Sequence, residues 1–298
     1  MTAVPIIEQL TRNAALGVRF WDTAEGTSAI DGLEVSVFSR ANPRVRTKAE
    51  VNRSGVYVAH RVPGMHAFEF DDAPPDVLWA AATRPYRVEV RDPLDRFLPI
   101  AFDADLPVRG VFTWTAPWLS PPQPIVLPGE AAGSPPQLLL ERVPLFSAPS
   151  RPVPEPLAVV HAQLRELGTE RDAAWSLLSV SIDGDTRGLG LADAQGRVAV
   201  FFPYPEPPRM SLASPPEARN DFTWQVDLTA FWLRASPPPP VPQFADLADV
   251  FASLATPCTV VESIASPGTP LRLTYRQALT ARTAGAVGAD ASFLFLSV

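Results

Sequence analysis

Thr47–Val58 reads TKAEVNRSGVYV and Leu189–Phe201 reads LGLADAQGRVAVF, so the chain spells one hairpin twice. In each, an extended alternating run reaches Asn52 or Asp193, passes two linker residues, meets Gly55 or Gly196, and begins a second alternating run. The chemistry suits a tight strand connection. An Asn or Asp side chain accepts a hydrogen bond from the backbone two residues on, and glycine takes the φ > 0 conformation that other residues resist. A third version, Asp92-Pro-Leu-Asp95 followed by Arg96-Phe97-Leu98-Pro99, keeps the aspartate but lacks the glycine. Corners of this kind between short strands mark small β-sandwiches, which serve more often as spacers and docking modules than as catalysts.

Outward from the first hairpin, residues 15–115 read as one sandwich, preceded by an arm at 1–14. Leu16–Asp22 and Gly32–Phe38 alternate apolar with polar, as half-buried strands do. Arg61-Val-Pro-Gly64 is a turn in which Pro63 sets φ. His66–Phe70 resumes an extended pattern, and Tyr86–Arg91 with Phe97–Phe102 closes the unit. Residues 116–156 are dense in proline, which cannot donate to a strand ladder. They are expected to form a semi-rigid connector lying against both neighbours, with Leu138–Val143 as its one strand or short docked segment.

Residues 157–215 read as the second sandwich, with Leu157–Leu164 and Trp175–Ile182 as strands leading to the Asp193 corner. Residues 216–298 read as a further β region. Phe222–Leu233 alternates as a long strand and Pro237–Pro240 is polyproline II. Phe244, Leu247, Val250, Phe251 and Leu254 recur at helical spacing, giving one amphipathic helix. Leu271–Tyr275, Gln277–Arg282 and Phe293–Val298 are closing strands. The final run, FLFLSV, is uncharged and strongly β-prone, so it must pair inside a sheet or with another chain.

Composition narrows the function. A chain of 298 residues and 32.2 kDa holds two or three domains. A net charge of -7 argues against nucleic acid, which demands clustered positive charge. There are 35 prolines, well above the usual share of about 5%, and they suggest stiff connections. Lys48 is the only lysine. A high-GC genome is the weightier reading of that bias, and arginine-rich contact surfaces are the other. Cys258 is alone, so no internal disulfide forms. No apolar run reaches membrane-spanning length. The N-terminal stretch carries Glu8 and Arg12 and reads as neither signal peptide nor anchor, so a cytoplasmic protein is expected.

No metalloprotease helix, nucleophile elbow, P-loop or dinucleotide fingerprint occurs. His60 and His66, with Asp71, form the one constellation with metal-ligand side chains, yet no clear third ligand has metal-like spacing, and turn faces are the stronger reading. Asp183-Gly-Asp185 lacks the acidic positions of a calcium loop and reads as a turn. Cys258 reads as a buried structural thiol. Asp92, Asp95, Asp103 and Asp105 read as solvated turn carboxylates rather than a general acid and base. No catalytic, cofactor-binding or metal residue is therefore assigned. Trp114 and Trp118, which bracket Pro117, are interface candidates because aromatic anchors dominate binding energy; packing on the chain's own connector is the alternative. Phe293 and Phe295 are the other interface candidates, on a terminal strand expected to pair outside its own domain.

Two resemblances sharpen the expectation. Thr47–Val58, followed by Val62-Pro-Gly64, resembles the carboxypeptidase regulatory-like, or prealbumin-like, β-sandwich, and Ala192–Arg197 looks like a second member; together they cover about half the chain. The resemblance implies non-catalytic modules. The fold class expected is mainly β: two Ig-like or prealbumin-like sandwiches joined by a proline-rich connector, plus a C-terminal β region with one short helix. Val88–Pro99, Asp105–Gly110, Pro144–Pro149 and Gly196–Pro205 are similar to proteins encoded in clusters for extracellular contractile injection systems. That similarity implies a structural subunit of a phage-tail-like particle, with other particle proteins and copies of itself as partners, no cofactor, no nucleic acid and no membrane insertion. The alternative is a carbohydrate- or peptide-binding module using Trp114, Trp118 and Tyr204.

Overall fold

All three Asx corners adopt the same turn. Asn52 Oδ1 accepts from the amides of Ser54 (2.9 Å) and Val56 (3.0 Å), while the Gly55 amide donates to the Asn52 carbonyl (3.0 Å). Asp193 repeats this with the amides of Gln195 (2.8 Å) and Arg197 (2.9 Å) and with the Gly196 amide (3.0 Å). Gly55 and Gly196 sit at φ +71° and +72°. This is a type I turn closed by a left-handed residue, the three-residue hairpin connection. The third corner keeps the geometry without glycine. The Asp92 carboxylate accepts from the amides of Leu94 and Arg96, and Asp95 itself takes φ +52°. Aspartate is among the few residues that visit this region at modest cost. Arg96 and Arg197 reach back to their own corner aspartates, each Nε at 2.8 Å.

The computed structural model describes residues 12–29, 31–71, 75–79, 82–113, 142–206, 222–234, 240–264 and 270–297. Trp114, Trp118 and Leu138–Glu141 lie outside them. The first strands are β1 (Leu16–Val18), β2 (Phe20–Asp22), β3 (Thr27–Ala29), β4 (Glu34–Ser39), β5 (Thr47–Val51), β6 (Tyr57–Ala59), β7 (Arg84–Arg91) and β8 (Ile100–Leu106). Two single-turn helices, α1 (His66–Glu69) and α2 (Pro75–Leu78), lie between β6 and β7. β9 (Val143–Leu145), β10 (Leu157–Glu166), β11 (Leu177–Ile182), β12 (Asp185–Leu191), β13 (Arg197–Pro203) and β14 (Thr223–Phe231) follow. The chain ends with β15 (Ala245–Asp246), α3 (Leu247–Ala252), β16 (Pro257–Val261), β17 (Leu271–Thr274), β18 (Leu279–Ala281) and β19 (Leu294–Ser297). The fold is mainly β, as the corners and alternation imply.

One sheet runs β1-β6-β5-β4-β7-β8-β15. Alternation buries Val35 and Val37 on β4, Val88 and Val90 on β7, and Ile100, Phe102 and Leu106 on β8, with Phe38 and Ala101 buried on the opposite face as well. A second sheet runs β12-β11-β14-β16-β19-β10-β13, with β17 added to β14 and β18 to β10. It curls around its own core of Val160, Leu164, Val180, Val200, Val226 and Leu296. A small sheet, β3-β2-β9, completes the first lobe.

Several elements differ from the sequence reading. His66–Phe70 is a helical turn because it must carry Glu69 back under the Pro63–Gly64 turn, where its carboxylate accepts the Arg61 amide at 2.9 Å. The connector is part of the first lobe where it is described: β9 pairs in parallel with β2, and Phe146 is fully buried. The boundary expected near residue 215 separates no β units, since β14 lies between β11 and β16 in one sheet. Asp183-Gly184, by contrast, is the turn the sequence implies: at φ +54° and +83° the two residues make the hairpin between β11 and β12.

The core of the first lobe reaches into the second. Leu177 of β11 and Leu191 of β12 belong to the core of the first lobe, as do Leu247, Val250 and Phe251 of α3. β15 pairs in parallel with β8 and carries this helix across. At the other end of the seam, Ala24 packs on Val159, Ala199 and Phe201. Arg151 pins that end. Its guanidinium donates to Asp22 Oδ1 and Oδ2 (3.1 and 2.8 Å), Ser147 Oγ (2.9 Å) and Glu25 Oε1 (2.6 Å). It also lies 5.1 Å from the ring centre of Phe97 and 5.9 Å from that of Phe201, one in each lobe.

The terminal strand is not a docking strand. β19 is paired on both edges, with β10 in parallel and β16 antiparallel. Phe293 and Phe295 are 8% and 5% exposed, and Arg165 covers the Phe293 ring. Both interface candidates are interior because uncharged, β-prone residues gain more from two ladders than from one. Truncation before Phe293 is therefore expected to unfold the second lobe. Leu294 and Leu296, both fully buried, contribute about 4–10 kcal/mol together, against a total stability of about 5–15 kcal/mol. A soluble truncation with the parent's near-ultraviolet circular dichroism would refute this placement.

Candidate functional site

Most of the residues singled out as chemical candidates are engaged in structural contacts. Glu69 is buried and accepts from Arg12 Nε and the Arg61 amide, with His60 Nδ1 at 3.6 Å. Burial pushes the Glu69 carboxyl up, but the Arg12 hydrogen bond, the Arg61 amide and the Arg12 charge hold it below the usual carboxylate range. His66 instead packs its ring on Phe70, 5.0 Å between centres. His161 lies on β10, where burial lowers its pKa. Burial raises that of the Cys258 thiol, whose Sγ faces the Trp232 carbonyl at 3.8 Å. Asp92 belongs to its corner, and Asp103 takes Arg40 and Arg87. Among the described residues no three His, Cys, Asp or Glu side chains gather as a metal site would require.

Tyr204 joins Trp224, Phe222 and Tyr275 in a ring cluster at one end of the second sheet, and its hydroxyl accepts the Arg276 amide at 2.9 Å. Trp114 and Trp118 cannot be placed beside it, being outside the described residues.

A different constellation forms where the lobes meet. A cleft of about 570 Å³ opens between the β10–β11 connection, the end of β14 and α3. That volume lies in the range of small-ligand sites, about 300–1,000 Å³. Trp175 and Trp232 supply its rings, and Leu233 and Val241, 49% and 53% exposed, supply aliphatic walls. Trp175 is held at φ +57° before β11, and its indole N–H donates to the Pro242 carbonyl at 3.2 Å. That contact lays Pro240–Pro242 along the cleft. The Arg171 guanidinium stacks 4.9 Å from the centre of the Trp232 ring.

The carboxylates of the cleft differ in their engagements. Asp172 takes Arg165 at 3.0 Å. Asp246 takes Arg87 through one oxygen and caps α3 through the other, accepting the Ala248 amide at 2.9 Å. Asp249, one turn along α3, lines the same cleft. Although the residue as a whole is exposed, partial burial of its carboxyl group and the nearby Asp246 charge push its pKa up, with Arg87 pulling it back. Sequence reasoning missed this site because its parts come from three distant segments. Trp175 and Trp232 carried no local signal beyond being two of seven tryptophans. Asp249 sat unmarked on the polar face of the helix.

No protein-family model and no curated protein sequence matches the chain. One solved structure, the Bacillus anthracis TIE protein, overlays with a TM-score of 0.21 and 8% identity, covering 90% of this chain and 33% of that one. The chain thus spans about a third of that protein's length, and the overlay is too loose to inform either fold or function.

Proposed function

We propose that this protein is a non-enzymatic structural subunit of a contractile, phage-tail-like injection particle assembled in the bacterial cytoplasm. On this reading it docks particle components through sandwich faces and through the seam between its lobes, and each lobe is a carboxypeptidase regulatory-like module. The observation that carries the reading is the first lobe's core reaching onto β11 and β12 of the second. Leu177, Leu191 and α3 fuse two sandwiches into one body, so faces on different lobes hold a fixed relation, as a spacer between neighbours requires. The resemblance of Val88–Pro99 and Gly196–Pro205 to proteins of such clusters supplies the kind of neighbour.

Deleting the gene in the bacterium that encodes it, then sedimenting particles and viewing them by electron microscopy, tests the reading. The wild-type chain is expected to cosediment with sheath and tube proteins, and the deletion to yield absent or malformed particles. Normal particles that never contained the chain would end it. The ring cluster around Tyr204 favours a second reading, a carbohydrate- or peptide-binding module acting alone. That reading predicts saturable ligand binding by a chain that never cosediments with particles.

A further inference from the structure

We infer that the cleft between the lobes receives a basic side chain, lysine or arginine, presented on an extended apolar segment of a partner protein. The inference rests on the docking reading above and names what one docking surface recognises.

Three observations select this occupant. First, the cleft's polar groups are nearly all committed to partners within the chain: Asp172 to Arg165, Asp246 to Arg87 and the Ala248 amide, and the Trp175 N–H to Pro242. A sugar needs many unengaged donors and acceptors, and this surface does not offer them. Second, Asp249 lines the cleft, and among the described residues its carboxylate takes no hydrogen bond or ion pair. Partial burial and Asp246 oppose its charge more than Arg87 favours it, so a cation placed beside it is stabilised. Third, the chain already places a cation over one of the cleft's rings, Arg171 at 4.9 Å from the centre of Trp232, and cations over tryptophan are the most favourable of such pairs. The aliphatic walls Leu233 and Val241 match the methylene stem that lysine and arginine lay along apolar surface while their heads reach a charge.

The test uses the purified full chain and three capped pentapeptides of leucine and proline with a central lysine, glutamate or norleucine. Intrinsic tryptophan fluorescence reads binding, because Trp175 and Trp232 line the cleft. The lysine peptide is expected to saturate the signal. The norleucine and glutamate peptides are expected to bind at least about tenfold more weakly, a difference of about 1.4 kcal/mol. Asp249→Asn is expected to remove most of that preference while leaving the unfolding midpoint unchanged, and Asp290→Asn, which alters net charge elsewhere, to leave the preference intact. Absence of saturable binding, equal binding of all three peptides, or an unchanged preference in Asp249→Asn would each overturn the assignment. Particle assembly would be untouched as a question by any of these failures, since it is read by sedimentation from the gene deletion.

Discussion

Replacing Arg151 with methionine is expected to destabilise the protein by about 3–5 kcal/mol, the cost of stranding one member of a buried ion pair. Both partners are deeply enclosed, the side chains of Arg151 and Asp22 being 7% and 6% exposed. Methionine nearly fills the vacated volume and can still lie between Phe97 and Phe201, so the cavity contribution stays small. What remains is the Asp22 carboxylate, left with the Ala24 and Glu25 amides but no counter-charge. The double variant Arg151→Met with Asp22→Asn is expected to recover a large part of the loss, because it removes the uncompensated charge and keeps an oxygen for those amides. Urea unfolding of the parent, both single variants and the double variant measures the coupling. A loss below about 1 kcal/mol in Arg151→Met, the level of an exposed pair, would show that Arg151 does not pin the seam.

That pin also shows what the sequence could and could not disclose. The corners at Asn52 and Asp193 were legible because their chemistry is local: an acceptor, two linkers and a glycine within five residues. Even the corner at Asp92 was legible in outline, although its missing glycine weakened the signal until Asp95 was found in the glycine's conformation. The strands from β4 to β7 and α3 followed from period-two and helical spacing in the same way, whereas β8 runs later than the Phe97–Phe102 reading, over Ile100–Leu106, and carries Asp103 and Asp105 on a strand rather than in a turn. Arg151, by contrast, pairs with an aspartate 129 positions away, across a proline-rich stretch that reads as mere connector. Nothing near Asp22 marks it as a buried anion. The packing of the first lobe's core onto the second lobe was hidden for a related reason. β11 reads as an ordinary strand, yet it buries both faces, Leu177 in one core and Leu178 in the other. A strand buried on both sides looks like a short apolar run, and such a run does not say which neighbour takes which face.

The terminal strand failed in an instructive direction. FLFLSV was read correctly as a segment that must pair, and the choice between its own sheet and another chain was decided by topology alone. β10, about 130 residues earlier, offers β19 a parallel ladder at Leu164–Glu166, a pairing that no turn signal announces. The cleft is a stronger case. Its two tryptophans, its aliphatic walls and Asp249 come together only after β14, α3 and the β10–β11 connection have been placed by two separate sheets.

The largest single-residue effect is expected at the second corner, where Gly196→Ala should cost about 4 kcal/mol or more, at the upper end of point substitutions. Two penalties combine there. At φ +72° any Cβ is disfavoured, by about 1–2 kcal/mol. In addition, an added Cβ would lie 2.3 Å from the Leu164 carbonyl oxygen, well inside contact distance, and the obstacle is backbone rather than a flexible side chain. That carbonyl cannot step aside, because it accepts the Ala173 amide at 3.0 Å while the Leu164 amide donates to the Gly196 carbonyl at 2.7 Å. The alanine must therefore break the join between β10 and the β12–β13 corner. Gly168→Ala separates the two penalties: at φ +76° it meets no atom within 4 Å, so only the conformational cost of about 1–2 kcal/mol applies. Urea midpoints with unchanged slopes read both values. Equal losses in the two variants would mean that the close approach of Gly196 to β10 does not exist, and with it the reason this corner, unlike the one at Asp92, cannot replace its glycine.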